Sequence, residues 1–163
     1  MTTTGRDTAQ PETDRPDGTD RPDGTPPLER GFTGMLGLQV VELGPDKAVL
    51  RWTAGPHLHQ PYGILHGGVY CAAVETAASY GAALWYGERG NVVGVSNQTD
   101  FLRAVRDGEL TATATPVHRG RLQQLWQVEI HDDGGRLVAR GQVRLQNVEN
   151  ADRLGRTEAP TDR

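Results

Sequence analysis

The sequence predicts an α+β fold in which an antiparallel sheet wraps around one long helix. Three observations carry this expectation. A single alanine-rich stretch over 66–86 has apolar residues at helical spacing, six segments around it read as strands, and Gly, Pro and Asp punctuate the gaps between them. One long buried helix beside a run of antiparallel strands closes a single core. The chain has 163 residues, which is room for one domain of ordinary size.

Residues 1–27 contain no Val, Ile, Leu, Phe, Tyr or Trp, and the hexapeptide Asp-Arg-Pro-Asp-Gly-Thr occurs at 14–19 and again at 20–25. Such a segment buries too little apolar surface to offset its ordering entropy, so a disordered tail is expected. A peptide ligand for some partner is the alternative reading of the repeat. Residues 149–163 are similar, with Leu154 as the lone large apolar side chain. The folded unit is therefore expected over 28–148.

Within that unit a short helix is expected near 28–35. Strands over 38–43 and 47–53 flank Gly44-Pro45-Asp46 as a hairpin. In the helix over 66–86, positions 69, 72, 73, 76, 77, 80, 83 and 84 form a broad apolar stripe. Strands over 92–102, 109–118, 122–132 and 136–146 follow, separated by turns at Arg106-Asp107-Gly108, Arg119-Gly120-Arg121 and Asp133-Gly134-Gly135. In the last strand Leu137, Ala139, Gly141, Val143 and Leu145 face one way, while Arg136, Arg140, Gln142, Arg144 and Gln146 face the other.

Composition narrows the function classes. A net charge of -4 argues against nucleic acid or an anionic membrane as the main partner. No apolar run is long enough to span a bilayer, and the first thirty residues lack the apolar block of a signal peptide. The single cysteine, Cys71, excludes an internal disulfide. The expectation is a soluble, cytoplasmic protein.

The chemistry concentrates in the segment from His57 to Gly68 and in the helix that follows. Gly67 and Gly68 are poor helix residues, but at a helix start they let another group approach N–H donors that lack an intrahelical partner. Those donors, at the positive end of the helix dipole, suit a developing oxyanion. A tight loop packed under the sheet is the alternative for a bare Gly-Gly. Glu75 is an isolated carboxylate among Ala72, Ala73, Val74, Thr76, Ala77 and Ala78. A charge there is costly unless paired or solvated in a cleft, so it reads as a nucleophile or base, or else as a residue on the wet side of the helix. Cys71, Glu75 and Ser79 stand at i, i+4 and i+8, which puts the Ser79 hydroxyl within reach of Glu75.

Spacing adds a constraint. Gly67 and Glu75 are eight residues apart, about 12 Å along a helix axis. One carbonyl cannot contact both at about 3 Å. If both act on one substrate, they come from two subunits whose helices run antiparallel across a two-fold axis.

The segment His59-Gln60-Pro61-Tyr62-Gly63-Ile64-Leu65-His66-Gly67-Gly68 followed by Glu75 resembles the PaaI-type hotdog-fold acyl-CoA thioesterases, and within them the glutamate-dependent 4-hydroxybenzoyl-CoA thioesterase branch. The resemblance continues through Val93-Gly94-Val95-Ser96, Phe101-Leu102-Arg103, His118-Arg119-Gly120-Arg121 and Gly135-Arg136-Leu137-Val138-Ala139, and covers 28–148. It implies a hotdog fold and a homodimer with shared active sites, arranged as a dimer of dimers (a homotetramer). The implied activity is hydrolysis of an acyl- or aryl-CoA thioester to the free acid and CoA, without cofactor or metal. It implies that Gly67 N–H polarises the thioester carbonyl, with Gln60 nearby on the same subunit, and that Glu75 of the facing subunit attacks the carbonyl or activates water. Ser79 falls where the branch often has threonine. Many relatives carry Asn at the Gln60 position and Asp at the Glu75 position, so the longer pair here favours the glutamate branch.

Further residues complete the expected site. Arg103, Arg119 and Arg121 lie at strand ends, where forked guanidinium groups could bind the phosphates of coenzyme A or could simply be solvated. His66 is expected to orient the Gly67-Gly68 loop, and His66, Gly68 and Ser96 are substrate-binding candidates, with Ser96 facing the acyl pocket. Tyr62, Tyr80, Trp85 and Trp126 offer aromatic surface for that pocket or for the core. His57, His59 and His66 lack the carboxylate or thiolate that would complete a zinc site. Cys71 reads as a small buried hydrophobe more readily than as a nucleophile. The alternative function is a non-catalytic acyl-CoA-binding hotdog protein, although the polar N-terminal segment offers no output module. A hydratase would call for a histidine at helical spacing from Glu75, and there is none.

Overall fold

The computed structural model of the chain describes residues 31–149. The expected tails lie outside these residues apart from Glu149, as do positions 28–30 of the first helix. The chain forms α1 (Gly31–Met35), β1 (Gln39–Leu43), β2 (Ala48–Ala54), a 3-10 turn (Pro56–Leu58) and α2 (Gly67–Tyr86). A second 3-10 turn (Gly87–Arg89) leads into β3 (Asn91–Phe101), β4 (Gly108–Arg119), β5 (Gln123–Asp132) and β6 (Leu137–Val148).

The six strands make one antiparallel sheet in the order β1-β2-β4-β5-β6-β3. β4, β5 and β6 form a meander through tight turns. β3 does not pair with β4, its successor, but lies beyond β6 at the far edge. Helix α2 is therefore the connection that carries the chain across the sheet from β2 to β3. A sheet wrapped around one long helix in this way is the hotdog fold.

The core is the layer between α2 and the sheet. Leu50, Trp52, Leu110, Trp126, Val128, Ile130, Val143 and Leu145 close on Ala73, Val74, Ala77, Ala78 and Ala82. Small helix residues let the helix axis approach the strands. A Cβ at Gly81 would come within 2.6 Å of the Trp126 ring, and one at Gly141 within 2.8 Å of Val74 Cγ1. Two buried amides are satisfied rather than stranded. Gln124 Nε2 donates to the Ala82 carbonyl and to Asn147 Oδ1, and Gln124 Oε1 accepts from Trp126 Nε1. Asn147 Nδ2 in turn donates to the Gly120 and Arg121 carbonyls, tying down the β4–β5 turn.

The buried stripe of the helix is turned relative to the one its apolar pattern predicts, sharing only positions 69, 73 and 77 with it. Val69, Tyr70, Ala73, Val74, Ala77, Ala78, Gly81 and Ala82 are buried. Of the expected positions, Ala72, Thr76, Tyr80 and Leu84 are half-buried and Ala83 is exposed. One sheet covers one side of a helix, and here the apolar and small residues extend past that side. The uncovered face, which includes Cys71, Glu75 and Ser79, adjoins β3 at the free edge of the sheet, where Val95, Phe101 and Leu102 are exposed.

Replacing Gly81 by Ala tests the helix–sheet contact. Ala favours a helix over Gly by about 0.5–1 kcal/mol, but forcing a methyl against a fixed, fully buried indole costs about 1–3 kcal/mol. The expected outcome in chemical denaturation is a net loss of stability; a stabilised variant would contradict the packing.

Candidate active site

The site is built where the chain enters α2. A tight loop over 59–65 is closed by Gln60 N–H donating to the Ile64 carbonyl at 2.8 Å and Gly63 N–H donating to the Gln60 carbonyl at 2.9 Å. Gly63 has φ +69°, a conformation that favours glycine. The loop is pinned to its surroundings by Leu65 N–H to the Val105 carbonyl, His66 N–H to the Leu58 carbonyl, and the His59 ring to the Arg106 carbonyl.

His66 is the N-cap of α2, and its Nδ1 accepts from Gly68 N–H at 2.9 Å. Capping removes one orphan donor and leaves another: Gly67 N–H, at the first helical position, has no acceptor among the described residues. Gly67 opens on a cavity of about 250 Å³ shared with Gln60, Tyr70, Phe101, Leu102 and Arg103. A side chain at Gly67 would strike the Phe101 ring at 2.7 Å, so only glycine lets Phe101 lie over the helix start.

Glu75 lies two turns further along, half-buried on the uncovered face. Its carboxylate reaches toward β3. Asn97 Nδ2 donates to Glu75 Oε2 at 3.0 Å and to the Cys71 carbonyl at 3.0 Å, and Thr99 Oγ1 donates to Asn97 Oδ1 at 2.7 Å. The other carboxylate oxygen packs on Gly94, where a Cβ would fall 1.8 Å from Oε1. Glu75 has no ion-pair partner among the described residues. Ser79, one turn on, makes no hydrogen bond to it; Asn97 makes the contact that the i, i+4 row suggested for Ser79.

Asn97 is the residue that sequence reasoning missed, and Ser96 is the one it misplaced. The register of β3 against β6 shifts between Gly94 and Ser96. Strict alternation from Gly94 would turn Ser96 toward the helix. The bulge inserts Val95, so Ser96 pairs with Arg144 on the outer face and Asn97 pairs with Val143 on the inner one. Ser96 therefore does not face the helix side of the sheet.

The three arginines divide between the two ends of α2. Arg103 borders the cavity at Gly67, with its Nε donating to the Leu137 carbonyl. Arg119 lies at the opposite end, where it bonds Asp46 at 2.8 Å and the Pro45 carbonyl at 3.0 Å and sits 5.4 Å from the Trp85 ring centre. Arg121 borders a separate cavity of about 340 Å³ with Tyr86, Arg89 and Glu149. Within one chain they do not converge.

Of the two readings open for the aromatic residues, pocket or core, the structure gives Trp126 the core. Trp126 is fully buried in the core and Tyr62 is 81% exposed, whereas Tyr70 and Phe101, with ring centres 5.8 Å apart, line the cavity beside Gly67. Burial pushes the Tyr70 phenol up to about 12, so it remains a neutral O–H donor, and that hydroxyl has no partner among the described residues. Among the described residues no cluster of three or more His, Cys, Asp or Glu side chains is placed to hold a metal ion, and no helix is long and apolar enough to cross a membrane.

A free backbone donor at a helix start and a carboxylate anchored on the same helix are groups of the kind acyl transfer uses, a donor for an oxyanion and a nucleophile or base. Comparison with known proteins gives the family. The family description "Thioesterase superfamily" matches residues 62–139. A Mycobacterium tuberculosis protein named as a candidate esterase is 55% identical over 121 residues, covering 72% of this chain and 86% of that protein. The 1,4-dihydroxy-2-naphthoyl-CoA hydrolase of Listeria monocytogenes is 34% identical over 108 residues, covering 66% of this chain and 88% of that protein. The crystal structure of AziG from S. sahachiroi superposes with a TM-score of 0.73 at 55% identity, covering 74% of this chain and 98% of that one. The chain belongs to the thioesterase superfamily, and its enzyme class is thioester hydrolase.

Gly94 gives the direct test of the carboxylate's seat. In Gly94→Ala the methyl group occupies the place of Oε1, and Glu75 must swing away. A displacement of about 1 Å in an acting group costs on the order of 10²-fold in rate. The expected outcome is a kcat lower by about that factor with an unchanged thermal midpoint; wild-type kcat would show that this seat is not the working position.

Proposed function

We propose that the protein hydrolyses an acyl- or aryl-CoA thioester to the free carboxylic acid and CoA, at a site shared between two copies of the chain. The observation that carries this reading is the pairing of a free Gly67 N–H with an anchored Glu75 carboxylate two helical turns away. Spacing of about 12 Å prevents one thioester from meeting both within one chain. The uncovered face of α2 is the surface through which a second copy would supply the missing half.

In this reading the thioester carbonyl sits in the cavity at Gly67, its oxygen on the Gly67 N–H and its acyl group against Tyr70 and Phe101. Gln60 lies beside it. Glu75 of the other copy attacks the carbonyl carbon, or takes a proton from the water that does so. The C–S bond then breaks, CoA leaves as the thiol once protonated, and water supplies the oxygen of the acid. No cofactor or metal enters. His66 acts by fixing Gly68, and Ser79 stands beside Glu75 as a second hydroxyl for the attacking water.

The two-fold pairing also bears on coenzyme A. If Gly67 faces the other copy's Glu75, the helices cross near Cys71, and the other copy's Trp85 end projects roughly 15 Å beyond Gly67. Arg103 of one copy and Arg119 and Arg121 of the other then flank one path, which suits the nucleotide phosphates. The glutamate-dependent 4-hydroxybenzoyl-CoA branch, and the name of the Listeria relative, favour an aryl group. A dimer of such dimers in the cytoplasm completes the proposal.

A panel of benzoyl-, hydroxybenzoyl-, phenylacetyl- and medium-chain acyl-CoA thioesters, assayed by thiol release, tests it. At least one is expected to turn over, and Glu75→Ala should lower kcat by about 10²–10⁴-fold with fold and assembly intact. Binding of acyl-CoA without thiol release from any of them would favour the non-catalytic alternative, and full turnover by Glu75→Ala would remove Glu75 from the mechanism.

A further inference from the structure

We propose that Asn97, oriented by Thr99, is a positioning residue that sets the Glu75 carboxylate in its working rotamer. The inference rests on the reading of Glu75 as the acting group and goes beyond it.

The geometry leaves the Asn97 amide one orientation. Its Nδ2 meets two acceptors, the Cys71 carbonyl and Glu75 Oε2, both at 3.0 Å. An NH₂ group has two hydrogens, so both are engaged. Turning the amide over would set its oxygen against a carbonyl and a carboxylate. On the opposite side Thr99 Oγ1 donates to Asn97 Oδ1 at 2.7 Å, which reinforces the same orientation. The bond to the Cys71 carbonyl ties the amide to the helix backbone one turn before Glu75. The donor is thus fixed relative to the element that carries the carboxylate, and Gly94 bounds the carboxylate from the other side.

The surroundings make this one donor matter. Around Glu75, α2 presents Cys71, Thr76 and Ser79, and β3 presents Gly94, Asn97 and Thr99. β6, beside β3, presents Gly141 and Val143. None of these is a charged residue, and the Asn97 amide gives the carboxylate its one hydrogen bond among the described residues, so this donor alone selects which way the carboxylate turns. Both routes open to Glu75, attack on the carbonyl and activation of water, require its oxygens at a fixed place. A purely structural Asn97, holding β3 to α2 through the Cys71 carbonyl, would leave kcat at the wild-type level in a variant that keeps the fold.

The test is the steady-state kinetics of Asn97→Leu, which keeps the bulk and removes the donor, and of Thr99→Val, which removes the orienting hydroxyl, with Thr99→Ser restoring it. Both positions lie on the edge strand, and thermal unfolding checks the fold; if Asn97→Leu fails to fold, the Thr99 pair carries the test. The expected result is kcat about tenfold lower in Asn97→Leu and lowered less in Thr99→Val, with KM within about twofold of wild type in both and kcat recovered in Thr99→Ser. Wild-type kcat in the folded Asn97→Leu and Thr99→Val variants, or a loss in Thr99→Val that Thr99→Ser shares, overturns the proposal. Glu75→Gln separates the two layers. Turnover in Glu75→Gln overturns the reading of Glu75 itself, whereas an inactive Glu75→Gln beside wild-type kcat in the other variants overturns only the role of Asn97.

Discussion

A carboxylate on the half-open face of a helix needs both a donor and room, and the contact between Glu75 and β3 supplies both. Gly94 leaves space for one oxygen, and the bulge that follows turns Asn97 inward to bond the other. Either feature alone would fail. A side chain at 94 would occupy the position of Oε1, and a regular strand would face Ser96 inward and send Asn97 to the outer surface. The bulge therefore acts as part of the site, re-aiming one side chain at a sheet edge.

The same edge gives the proposed division of the site its physical basis. β3 ends the sheet, so α2 is covered by strands on one side and left open beside β3. Along that open side run Ala72, Thr76, Ser79 and Ala83, small enough for another helix to approach closely. At the helix start His66 engages Gly68 N–H and leaves Gly67, which lines the cavity, with an N–H that has no acceptor among the described residues. A straight helix separates that donor from Glu75 by two turns, and no side-chain rotation closes the distance. With the proposed roles of Gly67 and Glu75, fold geometry and chemistry together call for a second copy of the chain.

Much of this was legible in the sequence. Alternation and turn residues place all six strands within two residues of their observed ends, and the Gly67–Gly68 helix start and the isolated Glu75 are where the candidate site is built. What escaped were features set by relations between elements. The bulge at Gly94 reverses the parity of β3 after Val95, and nothing local in Val93-Gly94-Val95-Ser96 announces it, although a glycine inside a strand is a recognised warning. Gln124 and Asn147 sit at inward positions where the pattern offers amides; only the contact between strand ends shows them bonded to each other. In so alanine-rich a helix hydropathy does not say which side the sheet covers, and the buried face includes Tyr70, Val74, Ala78 and Ala82 in place of Ala72, Thr76, Tyr80 and Ala83. The ion pair of Arg119 with Asp46 is of the same kind, since its partner lies seventy-three positions away in the sequence.

Subunit complementation tests the central claim, a donor and a carboxylate contributed by two copies, most directly. One chain would carry Glu75→Ala and the other Gly67→Pro. Proline suits the first helical position, and His66 already has the extended backbone (φ -69°, ψ 134°) that a residue before proline adopts, so the N–H is removed with only the exposed Phe101 ring to move. Each variant alone should be nearly inactive. Co-expressed at equal levels, they form hybrid dimers in which one site of two keeps both an intact Gly67 and an intact Glu75, and activity should recover to about one quarter of wild type. If the mixed pool remains as inactive as its components, donor and carboxylate belong to one chain's site or to no common site, and the account is contradicted.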